Sequence, residues 1–325
     1  MGFQSIKYEE ELPVKVLVYH RHAEDYRRMI RERFPDLEVA SGTEEETLFQ
    51  HIADADMMIA WRFPTHVLKQ AGRLRWIQLT SAGIDHLLGA RESLRDVVVT
   101  NTRGIHADIM ADYAFAAILM CQWAFPRLIR QQEAKRWIPR DTAPLAGKTL
   151  GIVGVGAIGS EIARRAQGFH MNVVGVKRNP LPMAEVNQIF GPDHLHKMLS
   201  ASDFVVILAP ATPETYRMIG ESELRAMKRT AYLVNIARGT VVVESALVRA
   251  LQENWIAGAV LDVFEKEPLP DDSPLWTLEN VLVTPHLSGN LQDYANRVMA
   301  IFTENYQRWE AGKQLLNVVD LERGY

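Results

Sequence analysis

Along the first hundred residues, short apolar runs rich in β-branched side chains alternate with polar stretches whose apolar positions recur at helical spacing. The runs are Val14–Tyr19, Met57–Trp61, Trp76–Thr80 and Val97–Thr100, and the alternation predicts parallel strands covered by helices. A longer apolar stretch runs from about Ala107 to Phe125, interrupted by Asp112 and Gln122. It is short for a bilayer crossing and reads as a buried helix. After the proline-punctuated segment Pro139 to Pro144, the turn Leu145-Ala-Gly-Lys-Thr149 leads into a second alternating series. There Leu150–Val155, Asn172–Val176, Phe204–Leu208, Tyr232–Ile236, Ala259–Val263 and Val281–Thr284 predict six buried strands, as a doubly wound sheet requires. Gln292 to Trp309 has helical periodicity, with Tyr294, Val298, Ile301, Phe302 and Trp309 on or near one face, and predicts a packing helix.

Composition narrows the function. A chain of 325 residues exceeds one ordinary compact core, so two domains are expected, with a cleft between them. Hydrophobic residues at 47% and charged residues at 23% exclude disorder and coiled coil. A formal charge of −4 argues against nucleic acid or a membrane surface as partner, because such binders concentrate Lys and Arg. A small molecule is the expected partner. Cys121 is the single cysteine and cannot form an internal disulfide; no Cys/His spacing resembles a zinc site, and no metal is expected. Met1 to Glu11 carries acids where an export signal needs an apolar core, so a reducing, cytoplasmic compartment is expected.

The strongest chemical motif is Gly154-Val-Gly156-Ala157-Ile158-Gly159, which follows an apolar strand and opens a helix over Ser160 to Gln167 with Glu161, Arg164 and Arg165 on its exposed side. Gly154 permits a tight turn, Gly156 lets the backbone approach a pyrophosphate, and Gly159 lets helix and strand pack closely. Free amides at the helix start then meet phosphate oxygens. A strand over Asn172–Val176 follows, so the motif sits in a βαβ unit and points to a dinucleotide. At the end of that strand, where a carboxylate would hold the ribose hydroxyls of NAD, stand Lys177 and Arg178. A carboxylate repels a 2′-phosphate and these cations attract it, so NADP is the expected coenzyme, with NAD possible.

Three further segments each follow a predicted strand: Val234-Asn-Ile-Ala237-Arg238-Gly239, Leu261-Asp262-Val-Phe-Glu-Lys-Glu267-Pro268, and Val283-Thr-Pro-His286-Leu-Ser-Gly289. In an open α/β sheet the carboxyl ends of the strands face the ligand, which should bring Arg238, Glu267 and His286 together. Taken singly, each has a structural reading: a strand-end surface cation, a loop carboxylate before a proline, a satisfied histidine. Together with the glycine motif, and with Ser81-Ala82-Gly83-Ile84-Asp85, Asn101-Thr-Arg-Gly104 and Ala209-Pro210-Ala-Thr212-Pro-Glu-Thr215, they resemble the D-isomer-specific 2-hydroxyacid dehydrogenase family over nearly the whole chain.

The resemblance implies an NAD(P)-dependent 2-oxo acid reductase, of the glyoxylate/hydroxypyruvate reductase type or a related one, giving a D-2-hydroxy acid. It carries His286 over as the general acid that protonates the developing alkoxide. Glu267 would favour its imidazolium form and fix the ring. Arg238 would bind the substrate carboxylate and polarise the keto oxygen, and the Ala82 and Gly83 amides would clamp the carboxylate a second time. Pro210, Thr212 and Ala237 fall to the coenzyme, and Asp262 to the neighbourhood of the nicotinamide amide. The implied fold is α/β, two Rossmann-like domains with doubly wound parallel sheets: a discontinuous substrate domain, 1–104 and 291–325, and an inserted coenzyme domain, 105–290. A homodimer through the coenzyme domain is implied, with Trp123 and Trp137 near the long helix as contact surface.

Some features stay outside this scheme. Trp61-Arg62-Phe63 reads equally as pocket lining or packing. His20, His22, His170, His194 and His196 read as surface or capping residues, and Met110-Ala111-Asp112 carries no assigned role. Rival readings are a phosphite- or formate-type dehydrogenase of the same superfamily and a dinucleotide-sensing transcriptional corepressor; the latter would commonly carry disordered tails, and this chain ends shortly after its last helix. A Rossmann-type methyltransferase would have no need of the strand-end Arg, Glu and His.

Overall fold

The computed structural model describes residues 13–323; Met1 to Glu11, read above for an export signal, lies outside them. The chain divides into two compact units, one formed by residues up to Ile105 and from Gln292 onward, the other by His106–Leu291.

The first unit holds strands β1 (Lys15–Tyr19), β2 (Glu38–Gly42), β3 (Met57–Ala60), β4 (Trp76–Leu79) and β5 (Val98–Thr100) in one five-stranded sheet of order β2-β1-β3-β4-β5, parallel at every pairing. The period of two along each strand sorts its side chains between two cores. Leu17, Met58, Ile77 and Leu79 enter the core with Leu48 of helix α2 (Glu45–His51). Val16, Val18, Met57, Ile59 and Trp76 enter the other, against Tyr26 and Ile30 of helix α1 (Ala23–Arg33) and Val298, Met299 and Phe302 from near the C-terminus. Four strands were expected here and five are present. The additional one, β2, reads Glu-Val-Ala-Ser-Gly and lies at the sheet edge, where only Val39 is buried and no apolar alternation is needed.

The second unit opens with helices α3 (Ala107–Trp123) and α4 (Phe125–Glu133). Ala111, Ala114, Phe115, Ala117, Ile118 and Cys121 of α3 are buried, and burial pushes the Cys121 thiol up to about 12. The break falls at Ala124, left-handed at φ 52, with Pro126 in the first turn of α4. No single helix among the described residues is long and apolar enough to cross a membrane.

Seven strands follow: β6 (Thr149–Val153), β7 (Asn172–Val176), β8 (Gln188–Phe190), β9 (Phe204–Ile207), β10 (Tyr232–Asn235), β11 (Gly258–Leu261) and β12 (Val281–Val283), in the order β12-β11-β10-β9-β6-β7-β8. Six were expected; β8 is a three-residue edge strand too short to show a period. Val281–Thr284 was expected to be buried, yet β12 is only partly so, because it forms the other edge. Helix α5 (Ala157–Gly168) packs with α3 on one face, whereas α6 (Leu195–Ala201), α7 (Glu221–Ala226) and α8 (Glu244–Gln252) cover the other. The chain leaves β6 in one direction through β7 and β8, then returns to β9 on its opposite side. That reversal leaves a ligand crevice at the carboxyl ends of β6 and β9. Helix α9 (Tyr294–Glu310) returns to the first unit and supplies Val298, Met299 and Phe302 to its core.

Candidate active site

The glycine loop joins β6 to α5 at this reversal. Gly154 is left-handed at φ +97, and a Cβ there would stand 2.7 Å from the Ala209 amide nitrogen, so only glycine fits the turn. At Gly159 a Cβ would meet the Gly154 carbonyl oxygen at 3.1 Å, the close approach of helix to strand. Gly156 differs, since a Cβ there would meet nothing within 4 Å and the residue is exposed together with Ala157. Helix α5 starts at Ala157, three residues before the expected Ser160, and no side chain caps its first turn. Open space in front of bare helix-start amides fits the pyrophosphate of a dinucleotide.

Lys177 and Arg178 directly follow β7. Lys177 is half-buried, its ammonium 3.9 Å from the Met183 sulfur. Arg178 is exposed and lies 3.6 Å from Glu214, a solvent-facing pair of low worth, on the order of 0–1 kcal/mol, that a phosphate can displace. The segment Pro210–Thr215 after β9 is tied by Thr215, whose hydroxyl oxygen accepts from the Thr212 amide at 2.8 Å and also lies 2.5 Å from the Pro210 carbonyl. Thr212 is thereby buried while Pro210 stays exposed.

Arg238, Glu267 and His286 follow three neighbouring strands, β10, β11 and β12. His286 Nδ1 lies 2.7 Å from Glu267 Oε2. A carboxylate can only accept, so Nδ1 carries the proton and Nε2 is left to face a substrate. Glu267 is held in turn by the Phe264 amide, which donates to Oε1 at 3.1 Å. The two side chains remain 49% and 38% exposed. A pair this open stabilises the fold by at most about 1 kcal/mol, and its consequence is orientation of the ring. Arg238 is half-buried and donates from Nη1 to the Ala237 carbonyl at 2.8 Å.

Neighbouring residues hold these groups, among them Asn235 and Gly239, to which the sequence assigned no role. Asn235, buried at the end of β10, accepts from the Ala237 amide at 3.2 Å and donates to the Arg238 carbonyl at 3.2 Å. Ala237 is itself buried, and both of its backbone groups are engaged. A Cβ at Gly239 would stand 1.9 Å from the carbonyl carbon of Phe264 and 2.5 Å from the Glu265 nitrogen, so the Arg238 loop lies directly on the Glu267 loop. Gly239→Ala should therefore cost about 3 kcal/mol of stability by overpacking backbone on backbone; urea denaturation checks this, and an unchanged midpoint would show that the loops separate freely.

Asp262, expected beside the nicotinamide amide, has its carboxylate engaged by groups of the chain itself. The residue is fully buried; Oδ1 accepts from the Thr284 hydroxyl at 2.6 Å and the Leu287 amide at 2.9 Å, and Oδ2 accepts from the Ser288 amide at 2.9 Å. Its carbonyl accepts from the His286 amide at 2.9 Å. The carboxylate thus anchors the loop bearing His286. A buried charge keeps such partners because an unpaired one is costly.

In the first unit, Ala82 and Gly83 follow β4. The Ala82 carbonyl accepts from Asn101 Nδ2 at 2.8 Å and the Gly83 carbonyl accepts from the Ser81 hydroxyl at 2.9 Å, which fixes both peptides. Phe63 is buried in the core, whereas Trp61 is exposed beneath two guanidinium groups, Arg21 at 5.6 Å and Arg62 at 5.7 Å from its ring centroid. Among the histidines, His20 is held down to about 4 by burial, with the neighbouring His22 and Arg21 adding to the shift, and accepts from the His22 amide. His22 and His194 are exposed, His170 is left-handed after α5, and His196 pairs with Glu223 at 2.8 Å.

Known proteins resemble this chain over most of its length. Residues 115–288 match the family model described as D-isomer specific 2-hydroxyacid dehydrogenase, NAD binding domain. A glyoxylate reductase from Korarchaeum cryptofilum is 37% identical over 290 residues, 86% of each chain, and one from Thermococcus gammatolerans is 40% identical over 295 residues, 85% of this chain and 86% of that one. Among solved structures, a D-isomer specific 2-hydroxyacid dehydrogenase from Xanthobacter autotrophicus, in complex with NADPH and MES, superposes with a TM-score of 0.87 at 31% identity, covering 97% of this chain and 100% of that one. An NADPH-dependent glyoxylate/hydroxypyruvate reductase from Sinorhizobium meliloti, in complex with NADP and sulfate, gives a TM-score of 0.86 at 25% identity, covering 96% and 100%. With strand-end Arg, Glu and His on the carboxyl edge of a dinucleotide-binding sheet, this chain belongs to the D-isomer specific 2-hydroxyacid dehydrogenase family and is an NAD(P)-dependent oxidoreductase.

Proposed function

We propose that the protein reduces a small 2-oxo acid of the glyoxylate or hydroxypyruvate kind to the D-2-hydroxy acid, with NADPH preferred over NADH. The observation that carries this reading is the His286–Glu267 contact of 2.7 Å at the end of a strand next to the one that leads to Glu267, with Arg238 after the strand beyond. When bound, the nicotinamide supplies the hydride. Arg238 binds the substrate carboxylate through its planar fork and draws electron density onto the keto oxygen. As imidazolium, protonated on both ring nitrogens, His286 delivers its Nε2 proton to that oxygen as charge develops and is left as the neutral ring, which Glu267 holds through Nδ1–H during the transfer. Half exposure of the ring lets solvent return the proton. Gly154, Gly156, Ala157, Ile158 and Gly159 receive the pyrophosphate. Pro210, Thr212 and Ala237 line the coenzyme beyond it.

A matrix of glyoxylate, hydroxypyruvate, pyruvate and 2-ketopantoate against NADPH and NADH, followed by absorbance of the reduced coenzyme, tests the reading. Oxidation with at least one acid is expected; none with any of them would overturn it. Lys177 and Arg178 set the coenzyme preference. Replacing both by Ala should lower kcat/KM for NADPH at least about tenfold, some 1.4 kcal/mol, and leave NADH within about twofold. Equal losses with both coenzymes would remove their selective role.

Exposed apolar side chains on the second unit support a reading of the quaternary state. Trp123, Phe125, Ile129 and Ile138 are about half exposed and Trp137 is 97% exposed, an apolar patch of the kind that marks an interface. A homodimer through this patch is the reading, and Trp137→Asp should shift sedimentation from twice 36.8 kDa towards the single-chain mass. A wild-type monomer at micromolar concentration would contradict it.

A further inference from the structure

The loop that carries His286 has few apolar contacts of its own. Thr284 is half-buried, His286 and Leu287 are exposed, and only Ser288 among them is buried. Hydrogen bonds must therefore set where the imidazole stands. Asp262 supplies the inner set described above, and a further one reaches it from α3. The hydroxyl of Tyr113 lies 2.6 Å from Thr284 Oγ1. The Thr284 proton is already committed to the Asp262 carboxylate at 2.6 Å, so Tyr113 is the donor to Thr284. A one-way relay results, from Tyr113 to Thr284 to Asp262, and it ends on the acceptor shared by the Leu287 and Ser288 amides. One helix turn pair earlier, the same helix region meets the far end of the loop, where a Cβ on Gly289 would stand 3.4 Å from His106 Cδ2.

We propose that Tyr113 is a positioning residue for His286: its phenol, donating through Thr284 to Asp262, fixes the loop 284–289 and with it the direction in which the imidazole presents Nε2. This rests on the reading of His286 as proton donor. Burial pushes the Tyr113 phenol up to about 12, so the donor keeps its proton through the working range of the enzyme. Chained hydrogen bonds in a buried setting polarise one another, and loss of the first link weakens the next. Thr284 then turns freely between the carboxylate and other acceptors, and the loop samples positions away from the one set by Asp262.

The test uses the whole protein with NADPH and the best 2-oxo acid, alongside amide exchange of residues 284–289. Tyr113→Phe, which deletes only the hydroxyl, should lower kcat about five- to tenfold, leave both KM values within twofold, and speed exchange at Leu287 and Ser288. Thr284→Val should do the same, Thr284→Ser should restore at least half of wild-type kcat, and the double variant Tyr113→Phe/Thr284→Val should lose no more than the larger single loss, because both act through one relay. A Tyr113→Phe enzyme with unchanged kcat and unchanged exchange would overturn the proposal, as would additive losses in the double variant. If the wild type turns over no 2-oxo acid, the functional reading fails while the exchange measurement still decides whether the relay holds the loop.

Discussion

Replacing His286 by Ala lowers kcat by roughly a hundredfold or more, the range associated with losing a positioned general acid, and leaves KM for NADPH near its wild-type value. The imidazole is half exposed and sits at the tip of a loop held by Asp262, so its truncation removes no core contact and the protein stays folded. Because the proton is needed only as the alkoxide forms, the loss falls on the transition state and lowers kcat and kcat/KM together. Stopped-flow absorbance of NADPH at saturating substrate checks this. A variant within threefold of wild type would take the proton-donor role from His286.

The second large effect concerns Arg238. Changing it to Lys keeps one positive charge and discards the planar pair of donors, so a carboxylate held at two points is held at one. A hydrogen bond to a charged group contributes about 1.5–3 kcal/mol, which sets the expected fall in kcat/KM at roughly ten- to a hundredfold, shared between a higher KM for the oxo acid and a lower kcat. The coenzyme KM should not move, since Asn235 still holds the Ala237 amide and the residue 238 carbonyl and the Gly239 contact with Phe264 is untouched. A lysine variant with wild-type KM for the oxo acid would show that the carboxylate is bound elsewhere.

These two effects rest on features visible in the sequence to different degrees. The coenzyme loop was legible because three glycines at fixed spacing have separate steric reasons, and the contacts at Gly154 and Gly159 show two of them. Arg238, Glu267 and His286 could be found because each follows an apolar run, and parallel strands put every such end on one edge. Strands β2 and β8 were missed for the converse reason: at a sheet edge, with one neighbour, Glu-Val-Ala-Ser-Gly and Gln-Ile-Phe need little burial and carry no period. The end of α3 differs by two residues because the break is a left-handed alanine, Ala124, two positions ahead of Pro126, the breaker that the sequence shows.

The supports of the site were hidden more deeply. Tyr113 and Thr284 are 171 positions apart in the chain, and nothing local to Ala-Asp-Tyr-Ala or Val-Thr-Pro-His signals that two hydroxyls meet. Asp262 stands out in the sequence for its place after β11, but that its carboxylate takes the Leu287 and Ser288 amides depends on where a loop 25 residues further on folds back. Gly239 stood in plain view beside Arg238, yet its reason, the backbone of Phe264 and Glu265 pressed against it, depends on how two loops stack.

A crystal structure of the protein with NADP and a non-reactive 2-oxo acid analogue tests the central claim most directly. The analogue carboxylate should lie on the Arg238 guanidinium, His286 Nε2 within hydrogen-bonding distance of the oxygen in the keto position, and Glu267 still on Nδ1. An analogue bound with His286 turned away from that oxygen, or held by neither Arg238 nor His286, would contradict it.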